Sequence, residues 1–138
     1  MEAEISLKQR IMEEMTVNYS NALEKNFDLA KQFIGITREG KIEVKVKDKV
    51  TGIETILLYL IGKIYAKEVE LVSTSDASNQ ELMEELGIPK GSLLPWQKSL
   101  RDAKKIYQIK SSEGVNHAIA PNMVERTLKE IDQKLRNK

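Results

Sequence analysis

The segment from Ile53 to Ile64 most limits what this chain can fold into. Its only charges are Glu54 and Lys63. At about a dozen residues it is too short to span a membrane, which takes roughly 20 apolar residues. It must instead be surrounded by the rest of the chain, as a buried helix. Thr51-Gly52-Ile53-Glu54 has the spacing of a capping box and sets the start of that helix, which should run to about Glu68.

The residues before it are helical in period. Ile5, Met12, Met15, Tyr19 and Ala22 follow one stripe, and Leu23, Phe27, Ala30 and Ile34 continue it. Thr16-Val17-Asn18-Tyr19-Ser20 has poor helix propensity, so one bent helix or two helices would satisfy the pattern. Arg38-Glu39-Gly40 reads as a turn. From Lys41 to Lys47, apolar and charged residues alternate, which predicts a half-buried strand with Ile42, Val44 and Val46 inward. Leu71-Val72 is a candidate for a very short strand and Ser73 to Asp76 for a polar loop. Neither repeats nor Pro-rich linkers divide the chain.

The net charge of +1 conceals a division. Residues 1–86 carry 11 Lys/Arg against 16 Asp/Glu, and residues 87–138 carry 11 against 5, giving −5 and +6. An acidic front and a basic back point to a polyanionic partner. With no cysteine and one histidine, thiolate chemistry is excluded, and neither a zinc site nor a Ser-His-Asp arrangement is expected. The glycines are scattered, so no phosphate-cradling loop is formed. The chain is therefore read as a non-enzyme with no metal or cofactor. Met1 to Arg10 is charged and lacks the apolar core of a signal peptide, and the lack of cysteine fits a reducing interior, so a cytoplasmic location and no membrane association are expected.

Ser78 to Asn122 is the most informative stretch. Ser78-Asn79-Gln80-Glu81 is a second capping-box spacing, opening a short helix over Asn79–Leu86 with Leu82, Met83 and Leu86 inward. Gly87 stands where a helix end wants a left-handed residue. Ile88-Pro89-Lys90-Gly91 then reads as a turn and Ser92 as the cap of a second helix reaching Lys104 or Lys105. Ile106 to Lys110 and Val115 to Ala120 read as strands of a hairpin around Ser111-Ser112-Glu113-Gly114. After Pro121 a last helix buries Val124, Leu128, Ile131 and Leu135.

Glu81-Leu82-Met83-Glu84-Glu85-Leu86-Gly87-Ile88-Pro89-Lys90-Gly91-Ser92-Leu93, continuing through Leu100 to Ile106, resembles the winged helix-turn-helix regulators of bacteria and archaea. With the apolar helix included, the resemblance covers about 52–121. It implies an α+β fold: a winged helix-turn-helix over 51–138 that keeps the C-terminal helix, preceded by a helical segment and strand over 1–50. It also implies duplex DNA as partner, contacted by Lys90, Ser92, Gln97, Lys98, Arg101, Lys104 and Lys105, and by Lys110, Ser111, Ser112 and Asn116 on the wing. Gln97 and Arg101 are side-chain types able to read base edges.

Three features depart from that family. Pro95 would kink a helix starting at Lys90 and is tolerated in one starting after Ser92, so the later start is expected. Gln97 stands where an apolar residue is usual, leaving Trp96 as the core anchor. Ala103-Lys104-Lys105 lacks the glycine common before the wing. His117 is expected as a half-buried structural residue. The stripes at 5–34 and 123–135 exceed what a minimal winged helix needs, and are expected to pack together in a homodimer. The same fold also serves as a protein-interaction module, so that reading stays open beside DNA binding.

Overall fold

The computed structural model describes residues 6–11, 20–112 and 114–137, without the side chains of Ser20 and Ser111. Ile5, Met12, Met15, Tyr19, the stretch Thr16 to Tyr19 and the turn residue Glu113 lie outside the described residues. The fold is α+β, with helices α1 (Leu7–Arg10), α2 (Ser20–Lys25) and α3 (Phe27–Phe33), strands β1 (Ile34–Ile36) and β2 (Ile42–Val44), and helix α4 (Gly52–Glu68). Strand β3 (Ala77–Ser78), helices α5 (Asn79–Leu86) and α6 (Lys90–Asp102), strands β4 (Ile106–Ser111) and β5 (Gly114–Ile119), a 3₁₀ turn over Pro121–Met123 and helix α7 (Val124–Arg136) complete it.

Helix α4 is the axis of the protein. Every residue from Thr55 through Lys63 is buried, as its largely apolar sequence requires, with Lys63 the one charge among them. Its capping box is closed at both bonds: Thr51 Oγ1 accepts from the Glu54 N–H, and Glu54 Oε1 accepts from the Thr51 N–H. Against it pack the β1–β2 hairpin, helices α5, α6 and α7, and strand β5. One continuous core therefore runs from Leu23 to Ile131. Among the described residues no helix is long and apolar enough to cross a membrane.

Several expectations about the front are corrected. The stripe Leu23 to Ile34 is not one helix. Asn26 interrupts it, buried, with its amide donating to Ala22 O and to Glu125 Oε2 on α7. Phe27 falls on the outer side, half exposed and tilted against Tyr65. Ile34 is a strand residue, opposite Val44 in an antiparallel pair. The expected strand over Lys41–Lys47 is shorter, because a turn begins at Lys45 and puts its lysines to other use. Lys45 Nζ donates to Lys31 O near the end of α3, and Lys47 Nζ donates to Leu86 O at the end of α5. Both cations neutralise helix carbonyls that have no partner within the helix.

Leu71-Val72 forms no strand. The Leu71 N–H is consumed by Ala66 O in the turn that ends α4, where Glu70 is left-handed. Ala77–Ser78 supplies the short strand instead, pairing with β5. Among the described residues, the later part of the first stripe packs on the second within the chain, with α2 and α3 on α7. Leu23, Ala30, Phe33, Val124, Leu128 and Ile131 are all buried there.

Candidate functional site

Helix α5 ends as the sequence requires. Gly87 takes φ +67°, and its N–H closes on Met83 O. The Ser78 hydroxyl accepts from the Glu81 N–H at the other end. The Glu81 carboxylate, however, does not complete a capping box. It accepts from Tyr59 Oη and pairs with Lys63 Nζ at 3.0 Å, tying α5 to the buried helix α4. Burial and the Glu81 carboxylate push the Tyr59 phenol far above its ordinary range, so it stays a donor.

Helix α6 begins at Lys90, with Pro89 as its cap, and not after Ser92. Pro95 therefore lies inside it. Its missing N–H leaves the Gly91 carbonyl without an i+4 partner, and Gly91 is exposed, so water can take that bond. Ser92 is a residue of the first turn, half-buried, rather than the cap. The helix stops at Asp102, leaving Lys104 and Lys105 beyond it. Lys104 adopts φ +60°, the conformation usually left to glycine, and the Lys105 N–H returns to Leu100 O. The turn needs a left-handed residue, and lysine fills the place at a cost in strain.

The inner face of α6 is Leu93, Gln97 and Leu100, all buried. Trp96 is half-buried and lies over Gly52, where an added Cβ would meet the indole at 2.3 Å. Gln97 cannot approach a partner. It is 1% exposed, with its amide 2.9 Å from Asn79 Oδ1 and 3.3 Å from His117 Nδ1. His117 is 2% exposed, and the Arg101 guanidinium lies 3.0 Å from its Nε2. Burial and then the Arg101 charge hold the imidazole's pKa below the ordinary histidine range, so it is neutral. A guanidinium only donates. His117 Nε2 therefore accepts from Arg101, while Gln97 Nε2 donates to Asn79 Oδ1 and lies beside His117 Nδ1.

Strand register decides which side chains share this side. Gln108 pairs with His117 and Lys110 with Val115, so all four face α6. Asn116 pairs with Ile109 on the opposite face and donates to Asp76 Oδ2, away from the helix. Between α6 and the hairpin lies an open cleft of about 610 Å³. Leu94, Pro95, Lys98 and Arg101 border it from the helix, and Gln108, Val115 and His117 from the strands.

Of the residues expected to act together, Lys98 and Arg101 line this cleft, with the buried Gln97 at its floor, and Lys110 lies on its strand face. Lys90 is exposed at the start of α6, Lys104 is exposed past its end, Lys105 is half-buried there, and Ser112 is exposed in the hairpin turn. The side chain of Ser111 lies outside the described residues. Gln97 and Asn116 are drawn into internal hydrogen bonds. Lys98 is balanced by Asp102 at 3.0 Å. Missed by sequence reasoning was the chain Asn79–Gln97–His117–Arg101. Its one legible signal is that Gln97 and Arg101 stand four apart on α6, on a common face.

No family model, curated protein or solved structure matches this chain.

Proposed function

We propose that the chain binds duplex DNA, as a small regulator, through a winged helix-turn-helix made of α5, α6 and the β4–β5 hairpin. One observation carries the reading: Lys98 and Arg101 on α6 border the cleft between the helix and the hairpin, and Lys110 pairs with the cleft residue Val115 on the same strand face. An α-helix fits the major groove, and flanking cations hold phosphates. Lys90, Ser92, Lys104, Lys105 and Ser112 would add to the phosphate footprint. Gln97 and Asn116 are left out of it because their amides are engaged internally.

The test is binding to mixed-sequence duplex across a salt series, with wild type beside a Lys98→Ala/Arg101→Ala double variant. A dissociation constant of about 10⁻⁴ to 10⁻⁶ M at physiological salt is expected for wild type. The double variant should bind more weakly, with a salt slope smaller by about one for each of the two cations that touches phosphate. Equally poor binding by both proteins would remove the reading.

A protein-interaction module is the second reading, favoured by one specific feature. Leu94 and Val115 are 42% and 37% exposed on this same cleft, and Lys98 is already neutralised by Asp102. Under that reading Leu94→Ser would abolish partner binding, whereas the double cation variant would leave it intact.

A further inference from the structure

We propose that His117 is a positioning residue for Arg101: it fixes the guanidinium across the cleft, and sequence discrimination in duplex DNA depends on that hold while overall affinity does not. The inference rests on the nucleic-acid reading above and names how that site would read a base.

The geometry makes His117 the fixed member of the pair. It sits on β5, the central strand of the order β3–β5–β4, with Ala77 opposite on one side and Gln108 on the other. Gln97 and Asn79 close in behind it. Arg101, by contrast, reaches it from the last turn of α6 on a long side chain that borders the cleft. One guanidinium nitrogen is engaged at Nε2, and the remaining N–H groups are left for a ligand. A long arginine held at one end loses less freedom on binding, and a fixed fork favours guanine over other bases.

The hold works only while the imidazole is neutral. Two cations 3.0 Å apart exclude one another, and the arginine is the one with room to leave. The charged groups facing His117 are few. Helix α6 contributes Arg101 and, in the same cleft, Lys98. Helix α5 contributes the neutral Asn79, β4 the neutral Gln108 and, two residues on along the same face, the cation Lys110, and β3 the uncharged Ala77. Among the described residues no carboxylate borders the cleft to stabilise an imidazolium, the nearest charge balance being Asp102 on Lys98. Proton uptake below the ordinary histidine range of about 6.5 therefore frees the guanidinium. Phosphate attraction survives this, because positive charge is added, whereas the fixed orientation is lost.

The experiment is selection of duplexes from a randomised pool at pH 7.5 and pH 5, with wild type, His117→Gln and His117→Phe, beside affinities for mixed-sequence duplex. Wild type should enrich a motif at pH 7.5 with one position discriminated roughly five- to 150-fold, the range of a good bidentate pair. That preference should fall at pH 5 in proportion to the imidazole protonated there, which an NMR titration of His117 measures. His117→Gln keeps an acceptor that does not titrate, so it should discriminate equally at both values. His117→Phe should lose the preference at both, with mixed-duplex affinity within about twofold of wild type, since no phosphate contact is removed. Retained discrimination in the Phe variant, or a wild-type preference unchanged at a pH where that titration shows the imidazole protonated, overturns the inference. If the Phe variant does not fold, the wild-type profile against that of the Gln variant decides it. Wild type that binds duplex without enriching any motif sinks this inference alone, and wild type that binds no duplex sinks the DNA reading with it.

Discussion

Gly62 is where the buried helix and the front hairpin come closest, and Gly62→Ala measures that approach. An added Cβ would stand 2.4 Å from Cγ2 of Ile42 and 3.0 Å from Cγ2 of Ile34. Carbon atoms settle at about 3.5–4.0 Å, so the hairpin must retreat by about 1 Å. Both obstructing methyls branch from Cβ, where isoleucine is stiff, and neither can swing aside as a lysine end would. Overpacking of this kind costs about 1–3 kcal/mol. Removing a glycine from a helix interior returns up to about 1 kcal/mol. The expected net loss is about 1–2 kcal/mol, read as a lower urea midpoint with unchanged slope and a melting temperature lower by about 3–8 °C. An Ile42→Ala background removes the nearer methyl and should leave the glycine substitution close to neutral, whereas Ile42→Val keeps Cγ2 and should show the full loss. If Gly62→Ala instead stabilises the wild-type protein by about 1 kcal/mol, its helix propensity alone, the close packing of α4 on the hairpin is refuted.

Other expectations follow from single contacts. Lys104→Gly relieves a left-handed lysine and should raise stability by about 1 kcal/mol; if Lys104 also touches phosphate, the salt slope of DNA binding falls by about one in the same variant. Gln97→Leu leaves Asn79 and His117 short of a buried partner and should cost about 1–3 kcal/mol by chemical denaturation, with the salt slope unmoved; a lost slope and full stability would restore Gln97 as a surface contact. Burial pushes the Glu54 carboxyl up, but Lys134 at 2.7 Å and the Thr51 N–H outweigh it, so its pKa lies below the ordinary range. Its stabilisation is therefore present above about pH 4.3, the ordinary glutamate value, and is lost as pH falls through the lower folded one. Lys134→Met should make the acid limb of the stability curve shallower, by a small amount that salt reduces further, because Lys134 is 40% exposed.

What the sequence settled was local. Thr51 and Ser78 mark helix starts, Gly87 marks a helix end, and the turn residues Ser111 to Gly114 between two strand-prone runs make a hairpin, because caps, left-handed residues and turns act over a few neighbours. The buried helix was equally legible, since a segment apolar all round has nowhere else to go. The tertiary structure decided which polar side chains remain available. Gln97 looks like a surface reader until His117 and Asn79 arrive from other elements and draw its amide inside. Asn116 is turned to the far face by a register set across the hairpin. The apolar faces of α2, α3 and α7 are legible by period, but that α2 and α3 pack on α7 follows only from the path of the chain. Periodicity gives a side chain's direction on its own element, and burial depends on what packs against that element from afar.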